Sequence, residues 1–411
     1  MKVGKTSILG LIAGLVLIVL TAALLGPSAP CTDWIRHHMQ HAGRTLGQAL
    51  VQTGLEGAAS GVRKSIEVAE CGLAVTPDGT VWGWGDNSWG QLLMKRGDWG
   101  RNPRPIPGLP RANAVSACMM ESLLLDQDGS VWEWGDYPGG DWTRSRPRLV
   151  AGLPSVWAID AGAGHYIALT SEGIVWAWGG NRYGQLGDGT TIWRTTPQPV
   201  AGPCGVVSIS GGFSHSLALC GDGSVWTWGG ISSAEDRGAF CPSATPSRVQ
   251  GVPPVVRIEA GSGYSVALTQ GGEVWMCGVS SSGLESMCDE VTATPGQVQG
   301  LPPAVEIAAG AQHCLVVSND GSVWAWGRNS FGVLGDGTTE SRATPKLVPG
   351  LSGVVAVAAS LDRSACIRSD GSVWDWGQVD RGLLGDYRVC VRPRRVRLPL
   401  LTQAKADSER R

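Results

Sequence analysis

The sequence lacks a strong net charge of either sign. Its 33 lysines and arginines nearly balance 35 aspartates and glutamates, which leaves a formal net charge of −2. Proteins that bind nucleic acid usually present a strongly basic face to the phosphate backbone. The composition therefore predicts that nucleic acid is not a partner of this chain.

The sequence also lacks the short motifs of common catalytic sites. It has no Walker loop, no nucleophile elbow and no His-Glu-x-x-His zinc motif. His37 and His41 have chelating spacing but no evident third ligand, and the LGDGTT segments at 186–191 and 334–339 lack the acidic spacing of a calcium loop. We therefore predict a protein that is not an enzyme, without catalytic residues, metal or cofactor, whose LGDGTT segments are aspartate-capped turns.

Phenylalanine is scarce, whereas the residues that make turns are abundant. The chain has three phenylalanines against 60 glycines, 24 prolines and 19 tryptophans. Because 43% of the residues are hydrophobic, the chain can bury a sizeable core and is not a disordered polypeptide. This composition predicts a fold with many tight turns.

The N-terminus carries the one long uncharged run. Lys2 and Lys5 precede residues 7–25, which contain no charged side chain. A helix of that length reaches about 28 Å, close to the roughly 30 Å hydrocarbon core of a membrane. We expect residues 1–26 to be a membrane anchor or, alternatively, a cleaved signal peptide. The flanking lysines place the N-terminus in the cytoplasm, so the rest of the chain is expected to be extracytoplasmic, either anchored or secreted.

Two further segments flank the body of the chain. Within residues 27–60, Ile35, Met39 and Leu46 recur at helical spacing, which predicts an amphipathic stem helix next to the membrane. Residues 402–411 are polar and charged and are expected to be a disordered tail.

A repeat dominates the body of the chain, residues 61–401. The pair Val-Trp recurs seven times at spacings of 44 to 50 residues within a longer frame, which reads DGxVWxWG in five copies, EGIVWAWG in the third and GGEVWMCG in the fifth. The seven pairs begin at Val81, Val131, Val175, Val225, Val274, Val323 and Val373. Repetition at this period is the signature of a fold assembled from equivalent units.

Each repeat reads as four short strands. In the sixth copy, alternating runs at 305–309, 314–318 and 322–326 are followed by a long loop and a fourth run at 346–348. Asn319-Asp320-Gly321 supplies a tight hairpin turn. Units of about 49 residues in seven copies match the usual size and number of propeller blades. The sequence therefore predicts an all-β, seven-bladed β-propeller of four-stranded antiparallel blades, monomeric in solution.

The tryptophans fit this arrangement. In the sixth copy, Val323 and Ala325 lie on one face of the third strand, and Trp324 and Trp326 lie on the other. We predict that the rings pack between neighbouring blades. We also expect residues 394–398 to complete a blade beside the first strands, because most propellers close their ring with both chain ends in one blade.

The longest copies resemble the repeat of the regulator of chromosome condensation family. They are DGSVWAWGRNSFGVLGDGTTESRATPKLV at 320–348 and EGIVWAWGGNRYGQLGDGTTIWRTTPQPV at 172–200, and GGFSHSLALCGDG at 211–223 is similar to that family's first hairpin. The resemblance covers roughly residues 62–400 and implies a propeller fold. The founding member exchanges nucleotide on the GTPase Ran while bound to chromatin, but no local motif carries its exchange residues onto this chain. The repeat spacings also leave no room for its protruding wedge.

Propellers of the same repeat type include secreted β-lactamase inhibitor proteins, which bind a protein through one propeller face. The resemblance therefore implies a non-enzymatic protein-binding scaffold, with a carbohydrate- or envelope-binding module and a regulatory exchange factor as alternatives. Loops carry function on a rigid scaffold, and Trp, Tyr and Arg dominate protein-binding hot spots. The candidate partner-binding residues in the loops of the first three repeats are Trp89, Trp99, Trp142, Tyr183, Trp193, Arg144 and Arg194. The other interpretation is that these aromatic residues pack over blade edges.

Histidines and cysteines supply the remaining candidates. His165, His215 and His313 occupy one repeat position and are interpreted as framework residues that hydrogen-bond inside their blade. If 206–210 and 215–219 form a hairpin, Cys204 and Cys220 lie opposite each other and could form a disulfide. Two unpaired thiols are the alternative.

Overall fold

The structure is a computed structural model of seven four-stranded antiparallel sheets. It describes residues 66–68, 71–76, 78–85, 87, 90–93, 100–117, 121–135, 146–230, 243–278, 295–381 and 387–396. Each sheet is made of four strands that are consecutive in sequence. The predicted all-β propeller with seven blades is therefore confirmed.

The blades are numbered one to seven in chain order. Blades one and two contain β1 Ile66–Val68, β2 Cys71–Val75, β3 Val81–Gly85, β4 Gly100–Pro105, β5 Ala112–Ala117, β6 Glu121–Asp126, β7 Val131–Gly135 and β8 Arg148–Leu149. Blades three and four contain β9 Val156–Ala161, β10 His165–Thr170, β11 Val175–Gly179, β12 Arg194–Pro199, β13 Val206–Gly211, β14 His215–Cys220, β15 Val225–Gly229 and β16 Ser243–Arg248.

The last three blades repeat the same order. Blades five and six contain β17 Val255–Ala260, β18 Tyr264–Thr269, β19 Val274–Gly278, β20 Gly296–Gln297, β21 Ala304–Ala309, β22 His313–Ser318, β23 Val323–Gly327 and β24 Arg342–Leu347. Blade seven contains β25 Val354–Ala359, β26 Arg363–Arg368, β27 Val373–Arg381 and β28 Tyr387–Val396.

The turn between the second and third strands forms as the sequence predicts. In blade six, Asp320 Oδ1 accepts hydrogen bonds from the Ser322 amide at 2.9 Å and the Ser322 hydroxyl at 2.6 Å. Gly321 has a positive φ of 78°, a conformation that glycine adopts at no steric cost. The aspartate therefore caps the turn, and the glycine supplies its left-handed backbone.

Apolar clusters fill the boundaries between blades. Trp326 is fully buried and lies in one cluster with Tyr264 and Val266 of the preceding blade. Val323 and Ala325 face the other way and lie in a cluster with Trp376 of the following blade. The predicted packing of tryptophans between blades is confirmed here, and each buried ring removes about 150–250 Å² from water.

The first strand of each blade is the innermost. Each first strand contacts the first strand of the next blade, from β1 to β25 and back to β1. The fourth strands lie at the outside, where β12 and β24 are mostly exposed and β16 is half exposed. The seven first strands therefore surround the axis of the ring.

Closure of the ring differs from the prediction. Arg394 and Arg395 lie in β28, which pairs with β27 of blade seven and not with a strand of blade one. The expectation that both chain ends share a blade is wrong. Because blade one supplies all four of its own strands, β1 meets β25 and β26 by packing. Closure of the ring therefore does not require a sheet shared by the two chain ends.

The predicted anchor or signal peptide, the stem helix and the C-terminal tail lie outside the described residues. Within the residues that are described, no helix is long and apolar enough to cross a membrane.

Candidate protein-binding surface

The two ends of the ring carry different connections. One end, the loop end, holds the turns between first and second strands and the long loops between third and fourth strands. The other, the turn end, holds the turns between second and third strands and the connections between blades. This division follows from the antiparallel order of the four strands in every blade.

The loop of blade three, between β11 and β12, is organised by one asparagine. The Asn181 side-chain amide donates hydrogen bonds to the carbonyl oxygens of Thr190 at 3.0 Å and Ile192 at 3.1 Å. Its Oδ1 accepts a hydrogen bond from the Leu186 amide at 3.0 Å. Because Asn181 is buried, its side-chain amide needs these partners, and the backbone of its own loop supplies them.

Asp188 in the same loop is occupied by its own neighbours. It accepts hydrogen bonds from the Thr190 hydroxyl at 2.7 Å and from Arg194 Nε at 2.8 Å. Burial alone would raise the pKa of Asp188, but the hydrogen bonds from Thr190 and Arg194 outweigh it and lower the pKa below its usual value. Arg194 therefore serves the loop framework. No cluster of three metal-ligating side chains occurs among the described residues.

Blade six carries the same loop between β23 and β24. The Asn329 side-chain amide donates to the carbonyl oxygens of Thr338 and Glu340, both at 3.1 Å, and Asn329 Oδ1 accepts from the Leu334 amide at 3.0 Å. Arg342 Nε donates to Asp336 at 2.8 Å, as Arg194 does to Asp188. The loops of blades three and six therefore share the same hydrogen-bonding framework.

The two loops differ at their tips. Blade three has Ile192 and Trp193, which are 60% and 43% exposed. Blade six has Glu340 and Ser341 at the same positions. The Ser341 hydroxyl accepts a hydrogen bond from the backbone amide of Asn329 at 3.1 Å. The framework therefore forms without a large apolar pair, and the exposure of Ile192 and Trp193 is a property of blade three.

The loop of blade three is fastened to blade four. The Gln185 carbonyl oxygen accepts hydrogen bonds from the Ser216 hydroxyl and from Trp228 Nε1, both at 2.8 Å. The Gly189 amide donates to the Ala244 carbonyl at 2.9 Å. These bonds hold the loop tip on a rigid base, which reduces the entropy lost when a partner binds.

The loop aromatics were predicted either to bind a partner or to pack over blade edges, and Tyr183 has features of both. Its half-buried side chain packs over Gly230, where an added Cβ would lie 3.0 Å from the Tyr183 Cβ. The exposed Arg182 guanidinium lies 5.7 Å from the centroid of its ring. Tyr183 therefore supports the base of the loop beside the exposed pair.

The other candidate residues divide into two groups. Tyr183, Trp193 and Arg194 lie together in the blade-three loop. Trp89, Trp99, Trp142 and Arg144 lie outside the described residues. Ile192 was not among the candidates. The signal that could have indicated it is an isoleucine after LGDGTT, where the matching copy has Glu340.

The three histidines bond across blade boundaries, and the prediction of bonds inside the blade is wrong. The Nε2 atoms of His165, His215 and His313 lie 2.9, 3.0 and 2.8 Å from the hydroxyls of Ser216, Ser265 and Ser364 in the next blade. Burial lowers the pKa of His165 and His313 to about 3, and that of His215 to about 4. All three are neutral framework residues at pH 7.

Cys204 and Cys220 are free cysteines. Cys220 lies opposite Val206 in the hairpin, so the predicted pairing of Cys204 with Cys220 is displaced by two residues. Strand β13 begins at Val206, so the exposed Cys204 precedes the ladder, and its backbone forms a hydrogen bond with the Cys220 thiol. Burial raises the pKa of the Cys220 thiol.

Comparisons with known proteins agree with this framework. Two family models described as the regulator of chromosome condensation (RCC1) repeat match the chain, one at residues 172–219 and 320–367 and the other at 158–185 and 304–333. The chain therefore carries RCC1-type repeats at these residues. The matched segments include the blade-three and blade-six loops. No curated protein matches the sequence of this RCC1-repeat chain.

Solved structures resemble this RCC1-repeat propeller at low identity. Human WBSCR16 is 23% identical with a TM-score of 0.65, covering 74% of this chain and 85% of the human chain. Prp20p from Saccharomyces cerevisiae is 22% identical with a TM-score of 0.67, covering 80% and 88%. Yeast RCC1 (Prp20), in a structure with Kap60, is 23% identical with a TM-score of 0.66, covering 84% and 90%. At these identities the likeness shows the fold.

Proposed function

We propose that this protein is a non-enzymatic scaffold that binds another protein through the blade-three loop. The proposal rests on the difference between the tips of two loops that share the same hydrogen-bonding framework. Blade three exposes Ile192 and Trp193 where blade six has Glu340 and Ser341. Since the framework does not require the apolar pair, its exposure is best explained by a partner that covers it.

The energetics favour this loop as an anchor. Tryptophan is enriched in binding hot spots, where truncation costs about 2 kcal/mol or more. That cost corresponds to a loss of roughly thirtyfold in affinity. The hydrogen bonds from Ser216 and Trp228 to Gln185 hold the base of the loop in place before a partner arrives.

One relative, yeast Prp20, known from two solved structures, supports a protein as the partner. The structure of yeast Prp20p has been described together with its binding properties to Gsp1p and histones. Yeast RCC1 (Prp20) has been solved bound to Kap60. Propellers of this kind therefore serve as protein-binding surfaces, although their partners are not carried over to this chain.

The proposed location is outside the cytoplasmic membrane. It is supported by the uncharged run at 7–25 and by Lys2 and Lys5 before it. Protease added to intact spheroplasts is expected to digest an anchored propeller. Protection of the propeller until the membrane is dissolved would contradict this location.

The binding proposal is tested by copying the blade-six tip into blade three. The double variant Ile192→Glu, Trp193→Ser is expected to lose capture of the partner from detergent-solubilised cell envelopes by at least tenfold. Mass spectrometry of the captured proteins identifies the partner. The thermal unfolding midpoint is expected to stay unchanged, because blade six supports the same loop with these side chains.

Ile174→Glu provides the matched control. Ile174 is also an exposed isoleucine of blade three, but it lies in the turn between β10 and β11 at the opposite end. Its substitution is expected to leave capture intact. Equal capture by the native protein and the loop variant would overturn the proposal.

The exposed Trp193 also fits the stacking of a sugar ring, the main alternative. A glycan array separates the two functions. Binding of a glycan by the native chain, lost in the Trp193→Ser variant, would favour a carbohydrate-binding module over a protein scaffold.

A further inference from the structure

A second apolar surface lies at the turn end of the ring, around its axis. The second residue of the innermost strand is a large apolar residue, between 39% and 56% exposed, in each of five consecutive blades. We call these residues the collar: Trp157, Val207, Val256, Val305 and Val355. The collar lies at the end of the ring opposite the blade-three loop.

A β-bulge exposes each collar residue. In blade four, Val206 lies opposite Cys220 and Ser208 opposite Leu219, so Val207 has no partner across the ladder. The register shifts at the same place in β9, β17, β21 and β25. Bulges redirect a side chain away from the regular face of a sheet, and here they direct an apolar residue to solvent in five successive blades.

The collar residues follow one another around the ring because their strands are neighbours. Each innermost strand contacts the next one around the ring, and the bulge occupies the same position in each. Single exposed valines need no explanation, but a contiguous exposed apolar patch on a soluble unit marks an interaction surface. In blade two, Asn113 takes this position and bonds through Nδ2 to the Asp126 carbonyl oxygen at 3.1 Å, so the bulge itself does not require an apolar side chain.

An acidic rim lies at the same end as the collar. The turns between second and third strands carry an exposed carboxylate in all seven blades, namely Asp78, Asp128, Glu172, Asp222, Glu273, Asp320 and Asp370. Hydrogen bonds from Ser322 lower the pKa of Asp320 to about 2, and hydrogen bonds from Ser224 likewise lower the pKa of Asp222. Arg111 pairs with Asp78 at 3.1 Å, Arg248 acts on Asp222, and Arg368 and Arg395 act on Asp370, so the seven rim carboxylates exceed these four arginines. The hydrogen bonds from serine keep Asp320 and Asp222 ionised at neutral pH.

We propose that the collar binds a protein segment whose aliphatic side chains are flanked by lysines or arginines. The aliphatic side chains would cover the valines of the collar, and the basic flanks would meet the carboxylates of the rim. A second copy of this chain fits less well, because collar-to-collar contact would bring two acidic rims together.

The test uses a defined synthetic peptide as the probe. It has a core of four leucines and valines with three lysines on each side, and a second peptide replaces the lysines with glutamates. Fluorescence anisotropy is expected to show binding of the lysine peptide to the full chain at low salt. The glutamate peptide is expected to bind at least tenfold more weakly, and 0.5 M salt is expected to weaken the lysine peptide.

Variants then locate the site. Val256→Ser, Val305→Ser is expected to weaken the lysine peptide at least tenfold, whereas Leu347→Ser, an exposed apolar residue of the outermost strand β24, is expected to leave it unchanged. Hydrogen exchange gives a readout that needs no variant. Protection on peptide binding is expected at the starts of β13, β17, β21 and β25.

Three outcomes would overturn the inference. They are equal binding by the collar variant and the native chain, equal binding of the two peptides, and dimers in sedimentation that the collar variant abolishes, which would assign the surface to a second copy. None of these results bears on the blade-three loop, because the two surfaces lie at opposite ends of the ring.

Discussion

At the scale of single residues, Arg363 shows how one repeat position adapts to its neighbour. It occupies the position of His165, His215 and His313, each of which reaches a serine hydroxyl in the next blade. The blade after blade seven is blade one, where Gly72 stands in place of that serine and a Cβ would lie 2.3 Å from the Trp84 ring. A histidine at position 363 would therefore find no serine hydroxyl in blade one to bond with.

Arg363 bonds within its own blade instead. Its NH2 group lies 2.7 Å from Asp375 Oδ2, and Arg394 Nε lies 2.8 Å from the other carboxylate oxygen. Arg363 and Asp375 are both buried. Removing one member of a buried ion pair leaves an uncompensated charge, which costs about 3–5 kcal/mol.

We therefore expect Asp375→Ala to lower the free energy of unfolding by about 3–5 kcal/mol, measured by urea denaturation. The double variant Arg363→Met, Asp375→Ala is expected to recover most of this loss, since it removes both charges. Glu340→Ala, at an exposed loop position, serves as the control and is expected to change stability by less than about 0.5 kcal/mol. A double variant no more stable than Asp375→Ala would contradict the role assigned to the pair.

At the scale of elements, the loops of blades three and six depend on their asparagines. Asn181 satisfies the Thr190 and Ile192 carbonyls and the Leu186 amide at once. A buried backbone group that loses its partner costs about 1–3 kcal/mol. We expect Asn181→Ala to speed hydrogen exchange at Leu186 and to weaken partner capture, because the tip at Ile192 is released.

The same substitution in blade six separates structure from binding. Asn329→Ala is expected to speed exchange at Leu334 by a similar factor while leaving partner capture unchanged. Loss of capture with both variants would show that binding responds to the stability of the ring and not to the blade-three tip.

Much of each blade could be predicted from its sequence, because its contacts are local. The alternation in residues 322–326 indicates which side chains of the third strand face each neighbour, and Asp320-Gly321 indicates the turn. Contacts between blades join residues about 50 positions apart, and the pattern inside one repeat does not encode them. The partner of His165 is of this second kind. The bulge at Val207, which displaces Cys204 from its expected register, is local to one hairpin, but alternation of residue types does not show where a strand bulges.

The candidate site was partly predictable for the same reason. Trp193 was identified by residue type alone, since exposed aromatics in loops indicate binding. Arg194 was also selected by type, but the salt bridge to Asp188 that holds it is visible only in the folded loop. Residue type thus located the loop, and only its geometry separated the framework from the exposed tip.

At the scale of the whole propeller, the buried histidines make stability depend on pH. The pKa values of His165 and His313 are lowered to about 3 and that of His215 to about 4 by burial, whereas an unfolded histidine titrates near 6.5. Below pH 6.5 the unfolded chain therefore binds protons that the folded ring does not. The stability contributed by these groups is present above pH 6.5 and is lost as the pH falls toward 4.

We expect each of the three histidines to lower the free energy of unfolding by roughly 1 kcal/mol per pH unit between pH 6 and pH 5. Urea denaturation at pH 7.5, 6.0, 5.0 and 4.5 measures this slope. His215→Gln is expected to reduce the slope by about a third even if it lowers stability at every pH. Stability that stays constant from pH 7.5 to pH 5.0 would contradict the assignment.

The use of four consecutive strands for every blade has a consequence for how such chains change over time. Each blade is formed by one uninterrupted stretch of the chain, and no sheet of the described residues combines strands from both ends of the chain. A tandem duplication or deletion of one stretch would therefore add or remove a whole wedge without leaving an unpaired strand behind. A tip such as Ile192-Trp193 can likewise diverge in one copy while the others preserve the frame.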